Sequence, residues 1–384
     1  MILFELVDYS TLKLTWWLLL GVLLIAFALT DGFDLGTNIL LPFVARDDVE
    51  RRVVINTIGP VWEGNQVWFI LAGGAIFAAW PLLYAVSFSG FYFAMFIILA
   101  ALILRPVGFK YRSKRDSPTW RSRWDWAIFV SGFVPALIFG VAIGNAIVGV
   151  PFRLTSEMRS IYEGSFFGLL NPFALLCGLV SLAMLVMHGA AWVTLKTNGV
   201  IAERARRFGG WAALTTMALF PLAGVIVWLF VPGYSIVGEL NPNMASNPHV
   251  KDVVVLPGEW LANYGRHPWM IAAPVLGIIG AFLAWVGFRT RGELIVLLAS
   301  GVSIFGIIST AGLSMFPFIL PSSVDPGSSL TVWDTASSHA TLFNMLVATA
   351  IFLPIIAIYT SWVYRIVWGK VVEEDVTDES KHAY

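Results

Sequence analysis

At 384 residues, 58% of them hydrophobic and only 12% charged, with a mean hydropathy of +0.78, the chain is too apolar for a soluble domain, which typically carries about 25% charged residues. Lys plus Arg and Asp plus Glu number 24 each, so the formal net charge is zero. That excludes a broadly basic surface of the kind that binds nucleic acid. The single cysteine, Cys177, lies in an apolar run, which excludes an internal disulfide and a thiolate metal cluster and leaves it a packing role.

The first apolar run begins near Leu14 and continues to Thr30 with no small-residue cleavage pattern after it, so it reads as a retained helix rather than a cleaved signal. Apolar windows then follow at 14–42, 53–79, 82–104, 126–148, 166–194, 209–231, 270–288, 293–315 and 340–367. Each approaches or exceeds the roughly 20 residues needed to cross the hydrocarbon of a bilayer. The expected fold is therefore an all-α polytopic membrane protein with nine transmembrane helices, the second and third meeting at Trp80-Pro81. The connections after windows one, three, five and seven, together with the C-terminal tail, hold 19 of the 24 basic residues. Basic connections stay in the cytoplasm, which predicts a periplasmic N-terminus and a cytoplasmic C-terminus.

Two outer connections stand out. The longer, 232–269, is rich in Pro and Asn, while 316–339 holds no basic residue and is too apolar for a free loop. The latter is expected to lie against the membrane surface or a partner, with Trp333 at the headgroup level. The acidic tail, 370–384, reads as cytoplasmic and disordered.

The first two windows carry polar residues that a bilayer resists: Thr30, Asp31 and Asp34, then Glu63, Asn65 and Gln66. An ionised group at the centre of a membrane helix costs about 2.5–3.5 kcal/mol on insertion scales, so such residues usually handle ions, protons or substrate. If the turn between the two windows centres near Asp47, Asp31 lies sixteen residues before it and Glu63 sixteen after. At 1.5 Å per residue both then sit at a similar depth, near mid-bilayer. Asp34 shares a helical face with Asp31, giving a ladder of carboxyls toward the cytoplasm, with Asn65 and Gln66 placed to orient water. The competing reading makes Asp31 and Asp34 caps of a helix broken at Gly32 and Gly36, and pairs Glu63 with a cation.

Of the five histidines, His382 lies in the tail and His249 and His267 in the long outer connection. Only His188 and His339 touch windows. Helical rise places His188 near the inner face and His339 at the outer face, so the two do not ligate one haem and each reads as an interfacial hydrogen-bonding residue. No spaced metal-ligand motif is present. Trp62 and Trp68 flank Glu63 inside the second window, where bundle packing competes with a functional role. The segment from Arg105 to Arg112 caps window three and reads as an anchor for anionic lipid.

The runs Trp16-Trp-Leu-Leu-Leu-Gly-Val-Leu-Leu, Thr30-Asp-Gly-Phe-Asp-Leu-Gly36, Trp62-Glu-Gly-Asn-Gln-Val-Trp68, Phe77-Ala-Ala-Trp-Pro81, Arg105-Pro-Val-Gly-Phe109, Asn171-Pro-Phe173 and Met315-Phe-Pro-Phe318 together resemble subunit II of the cytochrome bd quinol oxidases, over essentially the whole chain. The resemblance implies a terminal oxidase of the bacterial inner membrane that oxidises quinol and reduces dioxygen to water while building a proton gradient. It implies two four-helix bundles plus one helix, which on the windows above are 14–148, 166–315 and 340–367. It also implies that haem b and haem d, with the quinol-oxidation loop, belong to a partner subunit I. By the same resemblance Glu63 belongs to the proton route toward the oxygen-reducing haem and Trp68 lies beside a dioxygen passage, while the carboxyl ladder described above adds Asp31 and Asp34 to the expected proton pathway. A small single-helix accessory subunit and membrane lipids are further partners in this picture. Some relatives hold a structural quinone in this subunit, and no residue pattern here assigns one. Some relatives also have Gln at the positions of His188 and His339, which argues against a haem-ligating role for either. The alternative on the residues alone is a secondary transporter with a midplane carboxylate site. Transporters commonly interrupt helices in both halves, whereas these acids crowd into the first hairpin.

Overall fold

The computed structural model describes residues 3–377. Thirteen helices follow in order: α1 (Tyr9–Val44), α2 (Asp48–Ile58), α3 (Trp62–Ala79), α4 (Pro81–Gly90), α5 (Tyr92–Tyr111), α6 (Pro118–Val148), α7 (Pro172–Lys196), α8 (Gly199–Phe230), α9 (Ala262–Arg266), α10 (Ala272–Thr290), α11 (Glu293–Met315), α12 (His339–Ile366) and α13 (Glu373–Thr377). Among the described residues eight are long and apolar enough to cross a membrane: α1, α5, α6, α7, α8, α10, α11 and α12. His382 and the end of the acidic tail lie outside the described residues.

The second and third windows are not single helices. Asp47 caps α2 by accepting from the Glu50 amide at 2.9 Å, and the helix ends at Ile58, just before Gly59-Pro60, where proline removes a backbone donor. Helix α3 then starts afresh at Trp62 and runs 18 residues, its first turn too polar to count with the eight. Trp80-Pro81 opens α4, and a second break at Phe91 separates α4 from α5. Elsewhere local signals act as their chemistry dictates. Ser117 before Pro118 and Asn171 before Pro172 each accept a backbone N–H of the first turn, with proline at the one position where its missing donor costs nothing.

Helix α1 is central, lying against α3, α6, α7 and α11. Its approach to α7 is set by glycine. A Cβ on Gly36 would fall 2.0 Å from the Leu185 carbonyl oxygen, and one on Gly189 would fall 2.4 Å from the Gly36 carbonyl carbon, so the two backbones touch where neither residue has a side chain. Helix α12 is the opposite case. It touches α1 and α3, and of its 28 residues only Leu342 is buried.

At the end of the bundle where α1 begins, three hairpins pair β1 (Phe152–Leu154) with β2 (Ser160–Tyr162), β3 (Pro232–Val237) with β4 (Asp252–Pro257), and β5 (Phe318–Leu320) with β6 (Leu330–Thr331). The segment 316–339, expected against the membrane or a partner, instead folds into its own chain. Leu330, Thr331 and Val332 are fully buried, and Trp333 meets Phe316 edge-on at 5.9 Å. A clasp explains why. Lys13 Nζ, itself buried, donates to the carbonyls of Trp333 (2.6 Å), Met244 (3.0 Å) and Pro242 (3.1 Å), and Lys251 pairs with the buried Asp334 at 2.7 Å.

The opposite end is rich in arginine, and much of that charge is neutralised. Arg51 and Arg112 share Asp125 at 2.7 and 2.5 Å, while Arg112 and Arg121 share Asp48 at 2.9 and 2.7 Å. The tail differs from the expected disorder as far as it is described. The Val371 amide donates to the Lys196 carbonyl, α13 packs on α2, and Val376 is buried.

Candidate functional site

Helix α1 is unbroken through Gly32 and Gly36, so Asp31 and Asp34 are not helix caps. They project three residues apart on one face, and both are buried, at 1% and 0% exposure. Burial of two carboxyls requires a counter-ion or a proton. The counter-ion is Arg105. Its Nη1 donates to Asp31 Oδ1 at 2.6 Å and its Nη2 to Asp31 Oδ2 at 3.2 Å, the bidentate fork that guanidinium offers and ammonium does not. The lipid-anchor reading of Arg105 is therefore wrong. The residue lies six positions before the end of α5, is fully buried, and points into the bundle. The indole of Trp62 covers it, with the guanidinium carbon 5.5 Å from the ring centroid.

Asp34 is held differently. Its Oδ2 accepts from Asn65 Nδ2 at 2.8 Å, and Asn65 Oδ1 accepts from the Tyr364 hydroxyl at 2.6 Å. Asp34 Oδ1, Arg105 Nε and Trp62 Nε1 are buried with no hydrogen-bond partner among the described residues. Buried polar atoms of this kind normally bind water. Two carboxyls facing one guanidinium also reach neutrality only with one added proton.

Glu63 does not face the carboxyl pair of α1. It is exposed on the outside of this chain, in the first turn of α3, and makes no ion pair among the described residues. The reason is angular. Asn65 faces α1, and a residue two positions away points about 200° around the helix, so Glu63 faces the other way. The assumption of one continuous hairpin also fails at Gly59-Pro60. Glu63 instead heads an exposed apolar stripe of Val67, Ile70 and Phe77 on the same face. Trp68 is half-buried against the cluster containing Phe27 and Leu35.

His188 lies deeper than the helical count predicts. Its Nε2 bonds the Leu29 carbonyl at 2.9 Å and its Nδ1 the Ser300 hydroxyl at 2.8 Å, two residues from Asp31 rather than at the inner face. His339 bonds the Val7 carbonyl at 2.7 Å and stacks on Tyr9. Both ring nitrogens of His188 are thus engaged within this chain, and His339 Nε2 is engaged by backbone near the start of α1. Among the described residues no group of three His, Cys, Asp or Glu side chains is placed to hold a metal ion.

Sequence comparison places this architecture. The profile of the family described as cytochrome bd terminal oxidase subunit II matches residues 12–367. The chain belongs to that family. It is similar to a probable cytochrome oxidase subunit 2 of Haemophilus influenzae, 47% identical across 98% of this chain and 99% of the relative. It is 46% identical to the cytochrome bd-I ubiquinol oxidase subunit 2 of Escherichia coli K12, across 98% of this chain and all of that one. The cytochrome bd ubiquinol oxidase subunit 2 of Bacillus subtilis is 29% identical across 94% of this chain and 97% of its own length. The fold matches a chain in the structure of bd oxidase from Geobacillus thermodenitrificans with a TM-score of 0.66 at 12% identity, covering 94% of this chain and 98% of that one. A subunit II of a cytochrome bd oxidase is part of an oxidoreductase complex of the respiratory chain and a multi-pass protein of the bacterial inner membrane, with a subunit I as its partner. Membership sets aside the transporter alternative.

Sequence reasoning does not bring two residues of the site to it. Arg105 reads there as a lipid anchor, although a cation at the end of an apolar run, opposite two intramembrane acids, is the available signal. Tyr364 carried no sequence signal at all.

Proposed function

We propose that this chain is the haem-free subunit of a quinol:dioxygen oxidoreductase and supplies its proton delivery, dioxygen access and assembly surface. The observation that carries the reading is the buried group of Asp31, Asp34, Arg105 and Asn65 behind an α3 whose opposite face presents Glu63. Glu63 lies at the head of an apolar stripe, where lipid would penalise its charge. Subunit I, seated on that stripe, removes the carboxyl from lipid and receives its proton. Protons enter from the arginine-rich end, which is cytoplasmic by the basic-residue rule, reach Asp34 through water, and pass around α3 to Glu63. Asp31 and Arg105 hold the charge balance fixed while the proton moves. Trp68 lines the dioxygen passage. Haem b and haem d, bound by subunit I, supply the redox chemistry, and the histidines of this chain take no part in it.

In this reading α3 is the ninth crossing helix, α4 and α5 make one bent crossing, and α12 stands beside two four-helix bundles, with the N-terminus periplasmic and the C-terminus cytoplasmic. A small accessory subunit and lipid cover the remaining apolar surface. The test is oxygen uptake per haem in purified, spectrally intact complex. Asp34→Asn and Glu63→Gln are expected to lower it at least tenfold. Wild-type uptake in both would remove the carboxyls from the route.

A further inference from the structure

We propose that Tyr364 is a positioning residue for the Asp34 carboxyl, acting through Asn65. The proposal rests on the proton-route reading above and adds to it a residue from a helix otherwise outside the site. Nearly all of α12 faces outward, yet the Tyr364 hydroxyl reaches Asn65 Oδ1 at 2.6 Å, and Asn65, 2% exposed, spends its amide hydrogen on Asp34. The phenol is held by its walls. Phe33 and Trp192 stack on one another at 4.0 Å and 13°, and each meets the Tyr364 ring edge-on, at 78° and 88°.

The chemistry of the amide makes this contact decisive. A primary amide has two ends of nearly equal shape, one that donates and one that accepts. An ionised carboxylate accepts only, so it must meet the NH2 end, whereas a protonated one can donate to the oxygen. Tyr364 donates to the Asn65 oxygen and so fixes which end Asp34 meets. Without that hydroxyl the buried oxygen loses its donor, an expensive state, and rotation of the amide brings it to Asp34. Tyr364 therefore sets the hydrogen-bond partner available to each protonation state of Asp34. The other titratable or charged groups around this point are Asp31 on α1, Arg105 on α5 and, on α7, both His188, whose ring lies 6.1 Å from that of Phe33, and Lys196, whose ammonium lies 5.6 Å from the Trp192 ring and donates to the Val367 carbonyl.

The experiment uses the purified complete complex with Tyr364→Phe, Asn65→Leu, the double variant, and Asp34→Asn as control. Tyr364→Phe is expected to lower oxygen uptake about three- to tenfold, the range of one buried hydrogen bond, and to move the pH of half-maximal turnover. In the Asn65→Leu background the same change is expected to alter uptake less than twofold, because the intermediary is gone. Replacing Tyr364 with a ring-fluorinated tyrosine, a stronger donor of nearly the same shape, is expected to move the pH midpoint in the opposite sense. An unchanged pH profile in both Tyr364 variants, or a full multiplicative loss in the double variant, overturns the proposal. Infrared difference spectra separate it from the broader reading. The carboxyl band abolished by Asp34→Asn is expected to shift in Tyr364→Phe, and an unmoved band counts against the proposal whatever the turnover. Full turnover of Asp34→Asn together with a shifted band would instead sink the proton route while leaving the Tyr364 linkage standing.

Discussion

Asp31 accepts two hydrogen bonds, of 2.6 and 3.2 Å, from Arg105, 74 residues away in sequence, with neither side chain exposed. Such a pair contributes little net stability compared with well-packed apolar residues, but breaking it strands a charge, at about 3–5 kcal/mol. Arg105→Leu and Asp31→Leu are therefore each expected to reduce the yield and heat resistance of the assembled complex sharply. The double change to leucine is expected to recover much of the heat resistance without restoring turnover. The check is the haem-bearing complex remaining after graded heating, and additive losses in the double variant would count against the pairing.

At Glu63 the chain's own contacts impose little, since the side chain is exposed on α3. Glu63→Asp keeps an acid and is expected to retain much of the oxygen uptake, whereas Glu63→Gln keeps the shape and loses most of it. Both are expected to assemble with normal haem content. Equal uptake in the two variants would show that the proton plays no part at this position.

These two positions mark how far the sequence was legible. Apolar run length located the long helices, because crossing a bilayer requires it, and Ser117-Pro118 and Asn171-Pro172 announced helix starts through local capping chemistry. The acids of the candidate site were legible for the same reason, since their expense is visible without a partner. What was not legible is rotational or long-range. Whether Glu63 or Asn65 faces α1 depends on the phase at which α3 restarts after Gly59-Pro60, and hydropathy does not encode phase. Arg105 and Tyr364 meet the cluster from helices 74 and 299 positions away. The buried run from Leu330 to Val332 was visible as too apolar for a loop, but its cover, tied down through Lys13, was not.

His188 spends both ring nitrogens within this chain, on Ser300 and Leu29. His188→Gln is expected to leave the visible spectrum of the complex intact, since an amide still donates to the Leu29 carbonyl. Loss of a whole haem band from stably assembled complex would assign a haem to this chain.

Orientation is open to chemical labelling. Ser117 and Ala245 are both exposed, at the arginine-rich end and in the connection before β4 respectively. With Cys177→Ala removing the native thiol, single cysteines at these two positions are expected to differ in intact cells. An impermeant maleimide should mark position 245 and spare 117, and the reverse pattern would invert the topology.

The order of the chain gives the outlying position of α12 a consequence for biogenesis. Every other long helix leaves the ribosome before it, so Asp31 and Arg105 can pair while synthesis is still under way. Asn65 receives the Tyr364 hydroxyl only when α12 docks. The helix brings almost no buried surface to that docking, and its alignment depends on a few polar contacts: the Trp16 indole on the Leu342 carbonyl at one end, and Tyr364 and the Lys196 ammonium on the Val367 carbonyl at the other. The carboxyl cluster is thereby finished last. A nascent chain released early carries the acids and their guanidinium but leaves the Asn65 amide unfixed, which separates making the bundle from making it competent.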